Sequence, residues 1–205
     1  AEVIFRAVHV WAGGLPGGLG IAVIISCALM AAVVGVIGAE IVTMGVVALP
    51  AMLARGYGKN IALGSICAGG GLATLIPPSV VFIMYGLTSG VSIGQLYMAG
   101  VVPGILLASA YILYIMWRSW RHPEEAPPPS VEERSIPMRE KLALLGPLAL
   151  PGLIALGVLG SLYMGIATPT EAAAVGVVGA VLAMAINGRL TFAAVRGAVI
   201  DTTKV

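Results

Sequence analysis

Charge is what this 205-residue sequence has least of: 11 Lys and Arg and 9 Asp and Glu make up 10% of the residues, against about 25% in soluble globular domains. With 59% hydrophobic residues and a mean hydropathy of +1.03, an ordinary soluble domain is excluded and an integral membrane chain is implied. The formal net charge of +2 is too small to point to a nucleic-acid partner, so the positions of Lys and Arg carry more information than their sum. Cysteine is almost as sparse. Cys27 and Cys67 lie in apolar segments at no metal-ligand spacing, which sets aside a disulfide scaffold or a thiolate metal centre and leaves small core residues as the reading. Histidine occurs only as His9 and His122. His9 reads as a headgroup-level side chain, and Ser65 and Ser79 have no base in view. No nucleophile–base pair or paired acidic motif is present, so no catalytic residue is assigned and the chain is read as a non-enzyme.

What the sequence does have is one long stretch from Ile61 to Trp117 with no Asp, Glu, Lys, Arg or His. In its middle stands Gly69-Gly70-Gly71-Leu72-Ala73-Thr74-Leu75-Ile76-Pro77-Pro78-Ser79. Proline removes a backbone donor, and each glycine costs a helix roughly 1 kcal/mol relative to Ala. A helix break is therefore expected here, beginning at the glycines. In hydrocarbon an unpaired backbone group costs several kcal/mol, so broken backbone is tolerated only inside protein or beside a polar cavity. Such breaks in transporters offer carbonyls to a coupling cation and helix N-termini to an anionic substrate.

Before that stretch, residues 1–14 carry Glu2, Arg6, His9 and Trp11 in a pattern suited to a helix lying in the membrane interface. Leu15 to Val34 is long enough to cross a hydrocarbon core of roughly 30 Å. The helical piece Ile41 to Ala54, at about 21 Å, is short for a crossing. Between them lies Gly35-Val36-Ile37-Gly38-Ala39-Glu40. Arg6 precedes this unit, and Arg55 and Lys59 follow it. If basic loops face the cytoplasm, both ends lie on one side. Residues 15–59 are accordingly read as a re-entrant helical hairpin with its tip at the Gly/Glu turn.

Residues 60–99 follow as a broken transmembrane helix and connecting arm, and 100–117 as a transmembrane helix ending on Trp117-Arg118-Ser119-Trp120-Arg121. Residues 118–141 read as a solvated cytoplasmic linker, rich in Glu, Arg and Pro. Residues 142–188 read as two transmembrane helices, joined through Thr168-Pro169-Thr170-Glu171. Glu171 is expected first as a capping carboxylate, with a transport role as the alternative. Residues 189–205 read as the start of a second half that does not continue, so the sequence reads as a fragment. The fold class expected is all-α integral membrane: a multi-span bundle with a re-entrant hairpin and a broken transmembrane helix, incomplete.

Arg55-Gly56-Tyr57, Leu75-Ile76-Pro77-Pro78-Ser79, Ser92-Ile93-Gly94, Ala99-Gly100-Val101-Val102-Pro103-Gly104 and Thr168-Pro169-Thr170-Glu171-Ala172-Ala173-Ala174 stand in an order that resembles the large membrane subunit of tripartite ATP-independent periplasmic (TRAP) transporters. The resemblance extends over essentially the whole chain. Leu15-Pro16-Gly17-Gly18-Leu19 and Val42-Thr43-Met44-Gly45 lean toward the branch named for mannitol or chloroaromatic compounds. The resemblance implies an elevator-type, ion-transporter-like fold in the bacterial inner membrane. It implies sodium-coupled uptake of organic acids, delivered by a periplasmic binding protein, together with a small membrane subunit. It places a first hairpin tip on Gly35 to Thr43 and a first broken helix on Gly69 to Ser79. Two departures stand out: Gly69, Gly70 and Gly71 replace the Ser or Thr of many relatives, and Glu40 stands where relatives often carry Asp or Ser.

Together these readings nominate Gly35, Gly38, Glu40, Gly70, Gly71, Thr74 and Pro77 for a cation, expected to be sodium, held largely by carbonyl oxygens. Gly38, Glu40, Thr43, Thr74 and Ser79 are nominated for substrate, with no other cofactor. A carboxylate at membrane depth costs about 2.5 to 3.5 kcal/mol. Glu40 is thus paired, hydrated, cation-bound or protonated, or else it is a water-facing tip residue bonded to helix amides. Close helix packing is the alternative role for the glycines, and local back-bonding is the alternative for Thr43 and Ser79. A channel and a proton-coupled permease without a binding protein remain rival readings.

Overall fold

A computed structural model describes residues 2–127, 146–186, 190–191 and 196–197. The linker beyond Pro127 and most of 189–205 lie outside the described residues. The chain divides into two compact units, Ala1–Pro151 and Gly152–Val205.

The first unit opens with helix α1 (Glu2–Ala12), which buries Phe5, Ala7, Val8 and Ala12 and leaves Trp11 exposed. Its apolar face is thus spent on protein contacts, and Phe5 joins the common core. Phe5 and His9 stack with ring centroids 6.2 Å apart. Burial and the nearby Arg55 hold His9 below its ordinary pKa. Gly17, at φ 73°, turns the chain into α2 (Gly18–Val34). Gly35, at φ 65°, ends α2 in the left-handed conformation that favours glycine. Only Val36, in extended conformation, separates it from α3 (Ile37–Ala54).

Helix α3 is longer than the sequence pattern suggests. Its 18 residues reach about 27 Å, not the 21 Å expected of Ile41 to Ala54, because Gly38 and Ala39 join the first turn. Length therefore does not distinguish the two arms of the hairpin. By length and composition, α3 and α6 (Ile93–Arg121) are each long and apolar enough to cross a membrane.

The next helix, α4 (Lys59–Gly71), runs into a short 3₁₀ turn, Leu72–Thr74. The glycines are not where the helix fails. Gly69 to Gly71 complete α4 with helical geometry, and regular structure stops only at Leu75–Ser79, around a cis Pro77–Pro78 bond. Glycine weakens a helix by tenths of a kcal/mol to about 1 kcal/mol, whereas proline forbids a hydrogen bond outright. Helix α5 (Val80–Ser89) follows, and Gly90 at φ 72° closes it. The boundary expected at 99/100 falls inside α6, which is continuous across Gly100, Pro103 and Gly104. Those glycines serve contact: a Cβ on Gly100 would meet the Leu75 carbonyl and the Phe82 ring, and one on Gly104 would meet Ile76.

The base of the unit is pinned. The Leu19 amide donates to the Tyr57 hydroxyl at 3.4 Å, and Gly17 lies against Ile115 and Ser119 of α6. The Gly58 amide donates to the Glu125 carbonyl at 2.8 Å. Arg118 grips the Glu125 carboxylate through Nε at 2.7 Å and Nη2 at 2.9 Å, which holds that carboxyl below its ordinary pKa. The start of α2, the α3–α4 loop and the end of α6 therefore share one end of the unit. The first residues of the expected solvated linker are clasped to the protein, with Ala126 buried.

Most of α7 (Gly146–Tyr163), from Gly152 onward, belongs to the second unit, where it brings Ile154 and Val158 against Gly179 and Gly176 of α8 (Pro169–Ile186). The pairing is antiparallel, and the absence of side chains on those glycines sets the approach. The Ser161 carbonyl accepts the Ile166 and Ala167 amides in the connecting turn.

Candidate functional site

The hairpin tip and the broken helix meet. Gly35 lies so close to the chain at Pro78–Ser79 that a Cβ would fall on the Pro78 carbonyl oxygen. Two irregular segments far apart in sequence thus sit backbone to backbone, and only glycine can occupy that place at positive φ. A second contact lies one step along: a Cβ on Gly70 would strike the Ile41 side chain and come within 3.3 Å of its amide nitrogen. On the other side Gly69 abuts Cys27 and Ile24 of α2. Glycines 69 and 70 therefore let α4 press into the groove between the hairpin arms, the packing role, while a Cβ on Gly71 would meet nothing within 4 Å.

Glu40 stands in the first turn of α3, about 4.5 Å of rise past Ile37, next to Ile41 and within electrostatic reach of Cys27. It is fully buried, with 0% relative exposure, and among the described residues neither carboxylate oxygen has a hydrogen-bond partner. This removes the reading of a water-facing tip residue bonded to helix amides. Ser79 is also fully buried with its hydroxyl unpaired, although it occupies the N-cap position of α5. A side chain there would ordinarily bond the amides of the first turn.

The remaining nominated residues divide. Pro77 is buried beside Ser79. Thr43 donates its hydroxyl to the Ala39 carbonyl at 2.6 Å, and Thr74 donates to the Gly71 carbonyl. Both donors are spent locally, and one lone pair of the Gly71 oxygen is taken, leaving further lone pairs on all three oxygens. Gly38 is exposed, and a Cβ there would meet nothing within 4 Å. The structure therefore draws together Gly35, Ser79 and the Pro78 carbonyl at one contact, and Ile41 and Gly70 at the next, with Glu40 preceding Ile41 in the chain. Ile41, Cys27 and the Pro78 carbonyl were not legible as site components, since nothing in an apolar side chain or an X-Pro carbonyl marks its tertiary neighbour.

Chemically, an ionised carboxylate with no partner in a buried site is untenable by several kcal/mol, so Glu40 must carry a proton or meet a cation. Its two free oxygens are hard donors of the kind a sodium ion takes, and the Ser79 hydroxyl is another. The residues present fit a small cation. Among the described residues no group of three or more His, Cys, Asp or Glu is placed to hold a metal.

The family model for the DctM component of tripartite ATP-independent periplasmic transporters matches residues 1–205. The chain belongs to the DctM family. It is 39% identical over 176 residues to the C4-dicarboxylate TRAP transporter large permease protein DctM of Rhodobacter capsulatus, covering 79% of this chain and 39% of that protein. It is 37% identical over 172 residues to the isethionate TRAP transporter permease protein DctMQ of Oleidesulfovibrio alaskensis, covering 79% and 25%. The ectoine TRAP transporter large permease protein TeaC of Halomonas elongata is 37% identical over 183 residues, covering 89% and 41%. This DctM chain thus spans about two fifths of the length of most of the curated relatives it matches. Those relatives are named as transporter permeases, and the family is integral to the membrane.

Proposed function

We propose that this chain supplies half of the transport site of a sodium-coupled secondary transporter for organic acids, in a bacterial inner membrane. It would work with a periplasmic binding protein and a small membrane subunit. The observation that carries the reading is Glu40: fully buried, unpaired on both oxygens, and one turn from the place where a hairpin tip touches a broken helix. The names of the relatives, for C4-dicarboxylates, isethionate and ectoine, favour small charged organic solutes. The first amides of α5, behind Ser79, offer a positive dipole end to an anion. No Lys or Arg lies between Lys59 and Arg118, so capture by dipoles and hydroxyls would be weak and reversible. A re-entrant hairpin moving with the broken helix as one body, elevator fashion, fits the tip-to-break contact.

The same unpaired carboxylate favours a second reading, proton coupling, since a proton would also neutralise it. Uptake of labelled dicarboxylate into vesicles holding the full-length transporter decides. Dependence on a sodium gradient and on added binding protein supports the proposal. Uptake driven by a pH gradient alone selects proton coupling, and passive flux without binding protein selects a channel.

A further inference from the structure

Helix α6 is fastened to the broken helix at two places. Near its start, Gly100 and Gly104 lie against Leu75, Phe82 and Ile76 at the break. About 21 Å further along, from Gly104 to Arg118, its last turns meet the foot of α4. Between the two places a cavity of about 390 Å³, lined by Ile61 and Ala68 of α4 and by Tyr111 and Ile115 of α6, keeps the helices apart. Their attachment is thus concentrated at the ends.

Glu125 makes the second fastening. The chain leaves α6 at His122 and turns back, with the His122 amide donating to the Arg118 carbonyl at 2.8 Å and the Glu125 amide to the His122 carbonyl at 3.0 Å. That turn sets the Glu125 carboxylate against the Arg118 guanidinium in two bonds, at 2.7 and 2.9 Å, the bidentate form that fixes direction as well as distance. Nη1 of the same guanidinium donates to the Tyr114 hydroxyl at 3.2 Å, so Arg118 cannot swing away without breaking three bonds. Through its carbonyl, Glu125 also accepts the Gly58 amide at 2.8 Å, and Gly58 is the N-cap residue of α4. One residue therefore bonds α6 with its side chain and the start of α4 with its backbone. Tyr57, beside Gly58, holds the first turn of α2 through the Leu19 amide, which extends the connection to the hairpin.

We propose that Glu125 is a positioning residue, a latch that holds α4, α6 and the hairpin as one body throughout the transport cycle. The proposal rests on the transport reading above and adds α6 to the parts that travel with the hairpin and the break. An ion pair whose side chains are each 30% exposed contributes little to stability, so its loss should show in uptake more than in the melting temperature.

A Cβ on Gly58, whose φ of −60° suits any residue, would lie 3.6 Å from the Glu125 Cβ, within the range of about 3.5–4.5 Å that a disulfide spans. Gly58→Cys/Glu125→Cys in the full-length transporter thus replaces the latch with a bond that can be opened and closed. In proteoliposomes supplied with binding protein, the reduced pair is expected to take up labelled dicarboxylate several-fold more slowly than the wild type per folded protein. Oxidation is expected to restore the rate, relative to either single-cysteine variant treated alike. An inactive oxidised pair would mean that the latch opens during the cycle, and a reduced pair with wild-type uptake would mean that it positions nothing; either result overturns the proposal. Should the reduced pair not fold, Glu125→Gln is expected to slow uptake at an unchanged melting temperature, and wild-type uptake in that variant overturns the proposal equally. Cross-linking yield gives a readout apart from uptake. It should be the same with and without sodium and dicarboxylate, and a yield that falls in their presence sinks the latch. A wild type without sodium-dependent uptake would instead defeat the transporter reading, and the cross-linking yield would still judge the latch.

Discussion

Glu40 and Glu171 each stand in the first turn of an apolar helix, each the one carboxylate in its helix, and the two ends are built in opposite ways. At α8 the capping is reciprocal. Glu171 Oε2 accepts the Thr168 amide and the Thr168 hydroxyl, both at 2.8 Å, and the Glu171 amide donates back to that hydroxyl at 3.4 Å. This is a capping box, exposed and complete within four residues. At α3 the N-cap is Val36, which offers no side-chain bond, and the carboxylate is buried and unpaired. A helix end that needs only stability satisfies itself locally. One that leaves a buried acid unsatisfied among the described residues is built differently, and it is there that the cation or proton is proposed to bind.

The sharpest way to break this comparison is Glu40→Gln in the full-length transporter. The amide keeps the shape and removes the charge, so the sodium concentration for half-maximal uptake should rise at least about tenfold, equivalent to about 1.4 kcal/mol, with thermal stability unchanged or raised. Unchanged sodium dependence would make Glu40 no different in kind from Glu171. Next comes Gly35→Ala. The left-handed backbone alone costs a non-glycine residue roughly 1–2 kcal/mol, and the new methyl collides with the Pro78 carbonyl. Both the melting temperature and uptake should fall; a variant with wild-type values for both would show that tip and break do not need to touch.

Two neighbouring glycines separate packing from function. Gly70→Leu should lower stability, because Ile41 fills the space its side chain needs. Gly71→Leu meets open space and should leave stability intact while reducing uptake; the reverse order in thermal melts would invalidate the contact assignment. A smaller effect is expected for Ser79→Ala, which removes an orphaned buried hydroxyl. Removing an unsatisfied group is near neutral for stability, whereas uptake should fall several-fold if the hydroxyl meets a solute. The smallest belongs to Thr168→Val, which dismantles the α8 cap. It should lower the melting temperature by no more than about 4 °C and leave the sodium dependence of uptake untouched; a shifted sodium dependence would place Glu171 in the transport pathway.

The capping role of Glu171 was readable because all its partners lie within four residues and the motif is local. The break at Pro77–Pro78 was readable for a similar reason, since proline excludes a hydrogen bond whatever surrounds it. The starts of α3 and of the break were misplaced, by four and about five residues, through treating glycine as a stop; Gly38, Gly69, Gly70 and Gly71 all remain helical, since a propensity cost of about 1 kcal/mol each forbids no hydrogen bond, and at Gly69 and Gly70 close packing offsets it. For Glu40 the sequence could say that the residue is costly, not which of its possible environments it occupies.

Composition, the placement of Lys and Arg and the proline pair were enough to indicate a helical membrane chain with an interrupted helix, because hydrophobicity and backbone chemistry act residue by residue; the family was legible only through the resemblance of its short ordered motifs. That Gly35 rests on Pro78, that Gly70 admits Ile41, and that Glu40 is sealed in without a partner were decided only by the tertiary structure. Contacts between segments more than 25 residues apart depend on shape and close packing, and no local rule encodes them.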